Sequence, residues 1–188
     1  ISGLHCLSRP VVLPPLPKEM LGEVVPREAK KLLPVPLEAL YLSWYSMPWV
    51  DGKNMVFLVA VPRETVDAVA KTLRLAGLRT HFLGLKPLLL TKLAKGTGII
   101  VDVQHNEFDV VIVSEGIPQP VRTVSFANEN LTWQEKLPII VSDTERTIAF
   151  FNANNADKVL APEIPIFASG ELLNEQELWQ TLSKTTGH

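Results

Sequence analysis

The residue of this chain with the clearest potential for chemistry is an aspartate near the end of an apolar run. Asp102 lies in the run 98–103, and a second apolar run, 108–113, follows a polar turn at Gln104 to Glu107. Both runs are rich in β-branched residues and too short for a self-standing helix, so they predict two buried antiparallel strands. The run 120–126 predicts the next antiparallel strand. A carboxylate can hold the Mg²⁺ ion that accompanies the phosphates of a nucleotide.

No other set of residues has the spacing of a catalytic site. The four histidines do not match a metal-binding pattern, and the chain contains neither a Gly-x-Ser-x-Gly elbow nor a Walker loop. Cys6 is the only cysteine, which excludes an internal disulfide and fits a reducing compartment. The residues therefore indicate a binding protein rather than an enzyme, with no metal site expected.

Composition narrows the class of partner. The 188 residues carry a net charge of −2 without a basic stripe, which disfavours nucleic acid as a ligand. No apolar run reaches the roughly 18 residues that a membrane-spanning helix needs, so direct membrane insertion is not expected. The chain opens on Ile1 rather than Met, which suggests a fragment of a larger chain.

Periodicity and proline positions predict an α/β organisation in three parts. Residues 1–17 are Pro-rich and are expected to form an extended edge segment or connector, with a polyproline ligand for a partner domain as the alternative. Residues 18–96 predict a small α/β subdomain, and residues 97–188 a second domain. The elements expected in 18–96 are a helix from Lys18 that Pro26 kinks or splits, a strand at 37–49, an Asp51-Gly52 turn, a central strand at 55–61, a helix from Pro62 to Gly77, a strand at 80–85 and a short helix at 87–95.

The second domain is expected to continue beyond the strands with two helices and a strand. Pro138 fits the first position of a helix, because proline is favoured there. A strand is expected at 164–168, ending at Ser169-Gly170. Asn174, with Glu177 three residues later, has the pattern of a capping box and predicts the start of a last helix.

Several segments together resemble one family. The segments are 13–21, 28–40, 59–67, 75–78, 85–88, 99–103 and 166–173. They resemble PilM, the actin-like cytoplasmic protein of type IV pilus assembly, which is related to the cell-division protein FtsA. The resemblance implies an actin-like (ribonuclease-H-like) domain that carries a small inserted α/β subdomain. It also implies that Asp102 faces nucleotide phosphates and that Ser169 and Gly170 lie in an adenosine loop.

The chain departs from that family at the residues that would bind ATP. Gln104 stands where glycine would let backbone amides approach a phosphate, and Glu107 and Phe108 stand where hydroxyl-bearing residues are expected. A Gly-Gly pair is reduced to Ser169-Gly170. No cofactor is therefore expected in this fragment, although ATP and Mg²⁺ are possible in an intact protein.

The resulting hypothesis is a non-catalytic scaffold that lies peripherally at the cytoplasmic face of the inner membrane. The resemblance implies that it holds the cytoplasmic N-terminal tail of a PilN-like protein in a groove beside the inserted subdomain. Three alternatives stay open. They are an ATPase or nucleotide switch built on Asp102, a self-associating filament module, and the related cytoplasmic component of type II secretion.

Overall fold

The computed structural model describes residues 1–33, 35–50, 53–171, 180–181 and 184, with backbone only for 48–50 and 53. They form two compact units. Unit 1 contains Ile1 and His5–Gly84, and unit 2 contains Ser2–Leu4 and Leu85–His188. The division thus falls after Gly84, whereas the sequence predicts a boundary after residue 96. The predicted turn at Asp51-Gly52 and the helix start at Asn174 lie outside the described residues.

Unit 1 is built on a three-stranded antiparallel sheet. Its strands are β1 (Leu7–Leu13), β2 (Leu40–Val50) and β3 (Lys53–Pro62), in the order β1-β3-β2. The central position predicted for the run 55–61 is confirmed, and so is the edge position of the extended N-terminal segment. Pro10 lies in β1, where an edge strand tolerates the missing backbone donor.

Two α-helices lie in the described part of unit 1. Helix α1 (Leu21–Leu32) buries one stripe, Leu21, Val25 and Ala29, against a core that includes Leu58, and it continues through Pro26. Helix α2 (Arg63–Leu75) starts after Pro62 and ends before Gly77, as predicted. None of its side chains is fully buried, so its apolar stripe is only partly covered.

The strand predicted at 80–85 is wrong. Residues 78–85 have no strand structure, and Phe82 is 73% exposed. The composition of residues 80–85 allows a strand, but a strand also needs a hydrogen-bonding neighbour. Both ladders of the unit 1 sheet are made by β1, β2 and β3 alone. The helix expected at 87–95 appears as α3 (Lys86–Leu90), followed by a 3₁₀ turn at Thr91–Leu93.

Unit 2 contains a mixed five-stranded sheet. Strand β4 (Gly98–Val103) pairs with β5 (Glu107–Ser114) on one side and runs parallel to β8 (Ile166–Gly170) on the other. The short strands β6 (Ile117–Pro118) and β7 (Arg122–Ser125) both pair with β5. Every residue of β4 is buried, and β5 is buried except at Glu107. The strands predicted from the apolar runs on either side of Gln104 are confirmed.

The long helix of unit 2 packs against this sheet, and its predicted start was wrong. Helix α4 (Trp133–Asn154) begins at a capping box formed by Thr132 and Glu135, which places Pro138 inside the helix rather than at its first position. The reciprocal cap satisfies backbone donors that a start at Pro138 would leave without partners. Ile140 and Ile148 of α4 pack into the core that contains the apolar side chains of β4 and β5. None of the helices within the described residues is long and apolar enough to cross a bilayer.

Candidate functional site

The register of the unit 2 sheet places three polar residues side by side. Asp102 of β4 lies opposite Asp109 of β5 on one side and opposite Ser169 of β8 on the other. The two aspartates are 2% and 0% exposed. Two buried carboxylates on neighbouring strands repel each other and require a cation or a proton. The structure therefore brings together Asp102 and Ser169, two of the three predicted site residues, and adds Asp109.

The cation is supplied by Lys86, at the start of α3. Its Nζ lies 2.9 Å from Asp102 Oδ2, 2.9 Å from Asp109 Oδ2 and 3.3 Å from Glu107 Oε1. None of the residues that the structure describes donates a hydrogen bond to the buried Asp109 Oδ2, so its contact with Lys86 is an ion pair without hydrogen-bond geometry. We call Lys86, Asp102, Glu107 and Asp109 the lysine–carboxylate cluster. Sequence reasoning missed Lys86 because no local pattern relates it to the two strands.

Burial and ion pairing act in opposite directions on the pKa values of the cluster. Desolvation raises the pKa of Asp102, but hydrogen bonds from Lys86, Ser169 and Gln104 outweigh it and hold that pKa below its usual value. For Asp109, burial dominates, so its pKa is raised although Thr123 and Lys86 oppose the shift. Burial alone would lower the pKa of Lys86, but its two aspartate partners raise it above the ordinary lysine value. Lys86 is therefore protonated at neutral pH.

Side chains from the surrounding segments hold the cluster in place. Ser2 Oγ donates a hydrogen bond to Glu107 Oε2 at 2.7 Å, and Thr123 donates to Asp109 Oδ1. Gly3 packs so closely against Thr123 that an added Cβ would lie 2.2 Å from its Oγ1. These contacts fix the carboxylates around Lys86 instead of leaving them open to solvent.

The turn after β4 is filled by a side chain. Gln104 donates from Nε2 to both carboxylate oxygens of Asp102, at 3.2 and 3.1 Å. The amide thus occupies the approach to Asp102, where the resemblance implies a glycine and a phosphate. Within the described residues, no set of three or more His, Cys, Asp or Glu side chains is arranged to hold a metal ion.

Gly170, the third predicted site residue, has a structural role in the sheet. It lies opposite Val103 with φ +76°, and an added Cβ would lie 2.1 Å from the Val103 carbonyl oxygen. Only glycine adopts this conformation readily and allows this approach. Gly170 therefore lets β8 run close to β4 at the point where Ser169 reaches Asp102.

Unit 1 offers a second candidate site, an apolar groove with a volume of about 680 Å³. The charged side chains of Arg63 and Glu64 also line it. We call this the unit 1 groove, and sequence reasoning assigned none of its lining residues to a groove. Its apolar lining includes Leu7, Leu33, Val35, Leu40, Ala60 and Pro62.

Comparisons with known proteins find the fold but no sequence family. No family model matches the chain, and no curated protein matches it. A chain of the PilM–PilN type IV pilus biogenesis complex is similar over 97% of this chain and 64% of its own length, with a TM-score of 0.75 and 20% identity. The cytoplasmic domain of EpsL, an inner membrane component of the type II secretion system of Vibrio cholerae, matches over 90% of this chain and 59% of its own, with a TM-score of 0.58 and 15% identity.

A third structure, a Bacteroides thetaiotaomicron protein with an actin-like ATPase fold and unknown function, has a TM-score of 0.42 and 11% identity over 95% of this chain and 62% of its own. The chain spans less than two thirds of the length of each of these structures. The predicted fold class, α/β and actin-like, is confirmed.

Proposed function

We propose that this chain is part of a non-catalytic scaffold of a type IV pilus assembly platform, positioned at the cytoplasmic face of the inner membrane. The observation that carries the proposal is the shared fold with a chain of the PilM–PilN complex over 97% of the present chain. The similarity to the EpsL cytoplasmic domain supports the same kind of role in type II secretion as the second candidate. In either system the scaffold would bind the cytoplasmic tail of an inner-membrane partner.

The lysine–carboxylate cluster supports a role without nucleotide turnover. A Mg²⁺ ion bound by Asp102 would have to displace the Lys86 ammonium, which lies 2.9 Å from Asp102 and from Asp109. A triphosphate at the same place would meet Glu107, which adds like charge. The residues present therefore do not fit a magnesium nucleotide.

A titration with a fluorescent ATP analogue tests this part of the proposal. We expect no saturable binding, with or without Mg²⁺, because the Lys86 ammonium already occupies the position between Asp102 and Asp109 that a metal ion would take. Fluorescence anisotropy is the measurement, with an actin-like ATPase as the positive control. Saturable, magnesium-dependent binding in the micromolar range would establish the nucleotide switch instead.

The unit 1 groove supports tail binding. Val35 is 46% exposed in its wall, and Arg63 and Glu64 offer polar anchors for a peptide backbone or a terminal charge. Concave apolar sites with a few polar groups are typical of peptide recognition. We propose an extended apolar segment of a PilN-like N-terminal tail as the occupant.

The substitution Val35→Arg tests the groove. A synthetic tail peptide from a PilN-like protein should bind the unchanged chain, and Val35→Arg should weaken it by about tenfold, since a buried apolar contact becomes a charge. The matched control is Val12→Arg, because Val12 is 60% exposed in the same unit and does not line the groove. Equal weakening by both variants, or no peptide binding at all, would refute this site.

Light scattering of the same samples over a concentration series tests the filament alternative, which predicts particles that grow with protein concentration.

A further inference from the structure

A second surface of unit 1 combines exposed apolar side chains with positive charge. It comprises the last turns of α2 and the segment that follows. Leu75, Leu78 and Phe82 are 78%, 58% and 73% exposed, and Leu75 and Phe82 are the most exposed large apolar side chains among the described residues. Soluble surfaces seldom place such side chains together without a partner. We call this the α2 surface, and its cations are Lys71, Arg74 and Arg79.

The backbone presents these side chains outward because of the way α2 ends. Gly77 has φ +76°, and its N–H bonds to the Arg74 carbonyl while the Leu78 N–H bonds to the Leu73 carbonyl. This helix-ending motif turns the chain away from the helix axis. Residues 78–85 then continue without strand pairing, so Leu78 and Phe82 are not covered by a sheet.

The charge on this surface is positive, because three cations and one carboxylate line its cleft. A cleft of about 660 Å³ is lined by Lys71, Arg74, Arg79 and His81, together with Asp67. The carboxylate of Asp67 accepts a hydrogen bond from the Tyr41 hydroxyl at 2.9 Å. Among the ion pairs formed by the described residues, none involves Lys71, Arg74 or Arg79. The surface is therefore basic on a chain whose net charge is −2.

We propose that the α2 surface binds an anionic lipid bilayer. Leu75 and Phe82 enter the interface between head groups and acyl chains, and the cations that line the cleft contact lipid phosphates. The observations favour a bilayer over an acidic protein segment because Leu75, Leu78 and Phe82 are each more than half exposed, and Leu78 lines the cleft together with the cations. A folded partner would instead need a complementary apolar pocket.

This proposal is separate from tail binding. The cleft shares no lining residue with the unit 1 groove. Vesicles that contain no protein partner therefore test the lipid proposal alone. A failure here leaves tail binding untouched, and the reverse also holds.

The experiment is co-sedimentation of the full chain with vesicles of phosphatidylglycerol and phosphatidylcholine, compared with vesicles of phosphatidylcholine alone. We expect binding to the anionic vesicles only, and weaker binding at high salt, since surface charge interactions are screened. The double variant Arg74→Glu/Arg79→Glu should reduce binding by at least roughly tenfold, because each cation near an anionic surface contributes to the attraction. The double variant Leu75→Ser/Phe82→Ser should reduce it by a similar factor through the loss of apolar burial.

Two control variants match these changes elsewhere on the chain. Arg27→Glu/Lys30→Glu makes the same charge change on the exposed side of α1, and Phe150→Ser removes an exposed phenylalanine from α4. Both should bind anionic vesicles as the unchanged chain does. The proposal is overturned if the chain does not bind anionic vesicles, binds neutral ones equally well, or binds them equally after the charge reversal at Arg74 and Arg79. Binding of polyglutamate without vesicle binding would also overturn it and would assign the surface to an acidic protein.

Discussion

Replacing Lys86 with methionine is expected to lower the free energy of unfolding by about 3–5 kcal/mol at neutral pH, the usual range when one partner of a buried ion pair is removed. The methylene chain of lysine is approximately retained, so the packing of α3 changes little. What is lost is the positive charge between Asp102 and Asp109, which are 2% and 0% exposed. The variant leaves two neighbouring buried carboxylates without a counterion.

The pH dependence distinguishes this loss of charge from a loss of packing. In the unchanged chain, the pKa of Asp102 is lowered. The ionised carboxylate therefore stabilises the fold at pH values above the pKa of an ordinary aspartate. This contribution is lost as the pH falls through the pKa that Asp102 has in the folded chain. Lys86 has a raised pKa, so its ammonium stabilises the fold fully at pH values below the pKa of an ordinary lysine. This stabilisation is lost only as the pH rises through the pKa of Lys86 in the folded chain. In the variant, burial without a counterion favours the protonated acids, so acidification should stabilise it. The stability difference between the two proteins should therefore shrink as pH falls from about 7 towards about 4.

Urea unfolding across this pH range measures the difference. Lys92→Met is the matched control, because Lys92 lies on the exposed side of the 3₁₀ turn that follows α3. It should leave the unfolding free energy within about 0.5 kcal/mol of the starting value. A Lys86→Met penalty that is equal at every pH would show that Lys86 acts through packing and not through its charge.

The parts of the fold that could be predicted are those with a strong local pattern. The β-branched runs around Gln104 specify β4 and β5, since two buried strands joined by a polar turn have few other arrangements. That pairing places Asp102 near the end of a central strand. The helix from Pro62 to Gly77 follows in the same way from its end signals.

The features that could not be predicted depend on tertiary partners. Lys86 precedes Asp102 by a full helix and turn, so only the folded chain shows that its ammonium lies between two strands. Residues 80–85 have a strand-like pattern but no neighbouring strand in the unit 1 sheet. At α4, a proline signal at Pro138 competed with the capping box at Thr132, and the capping box determined where the helix begins. In each case the outcome depends on which hydrogen-bonding or charged partner is within reach.

Gly170→Ala is expected to destabilise unit 2 through backbone strain and a steric clash. The left-handed conformation of Gly170, φ +76°, costs a residue with a side chain about 1–2 kcal/mol. A Cβ at this position would also lie 2.1 Å from the Val103 carbonyl oxygen and 2.7 Å from Gln104 Nε2. Backbone atoms cannot yield as a flexible side chain does, so β8 must move away from β4, which adds about 1–3 kcal/mol. The same displacement would pull Ser169 from Asp102 and weaken one of the hydrogen bonds that lower the pKa of Asp102.

The variant Gly116→Ala separates the conformational cost from the steric clash in the stability that Gly170→Ala loses. Gly116 lies in the same unit with φ +77°, and nothing lies within 4 Å of an added Cβ. It should therefore show the conformational cost alone, about 1–2 kcal/mol, in the same urea unfolding experiment. The excess loss in Gly170→Ala then measures how closely β8 must approach β4. Equal losses in the two variants would mean that β8 shifts without penalty, and Gly170 would no longer be required for the contact between Ser169 and Asp102.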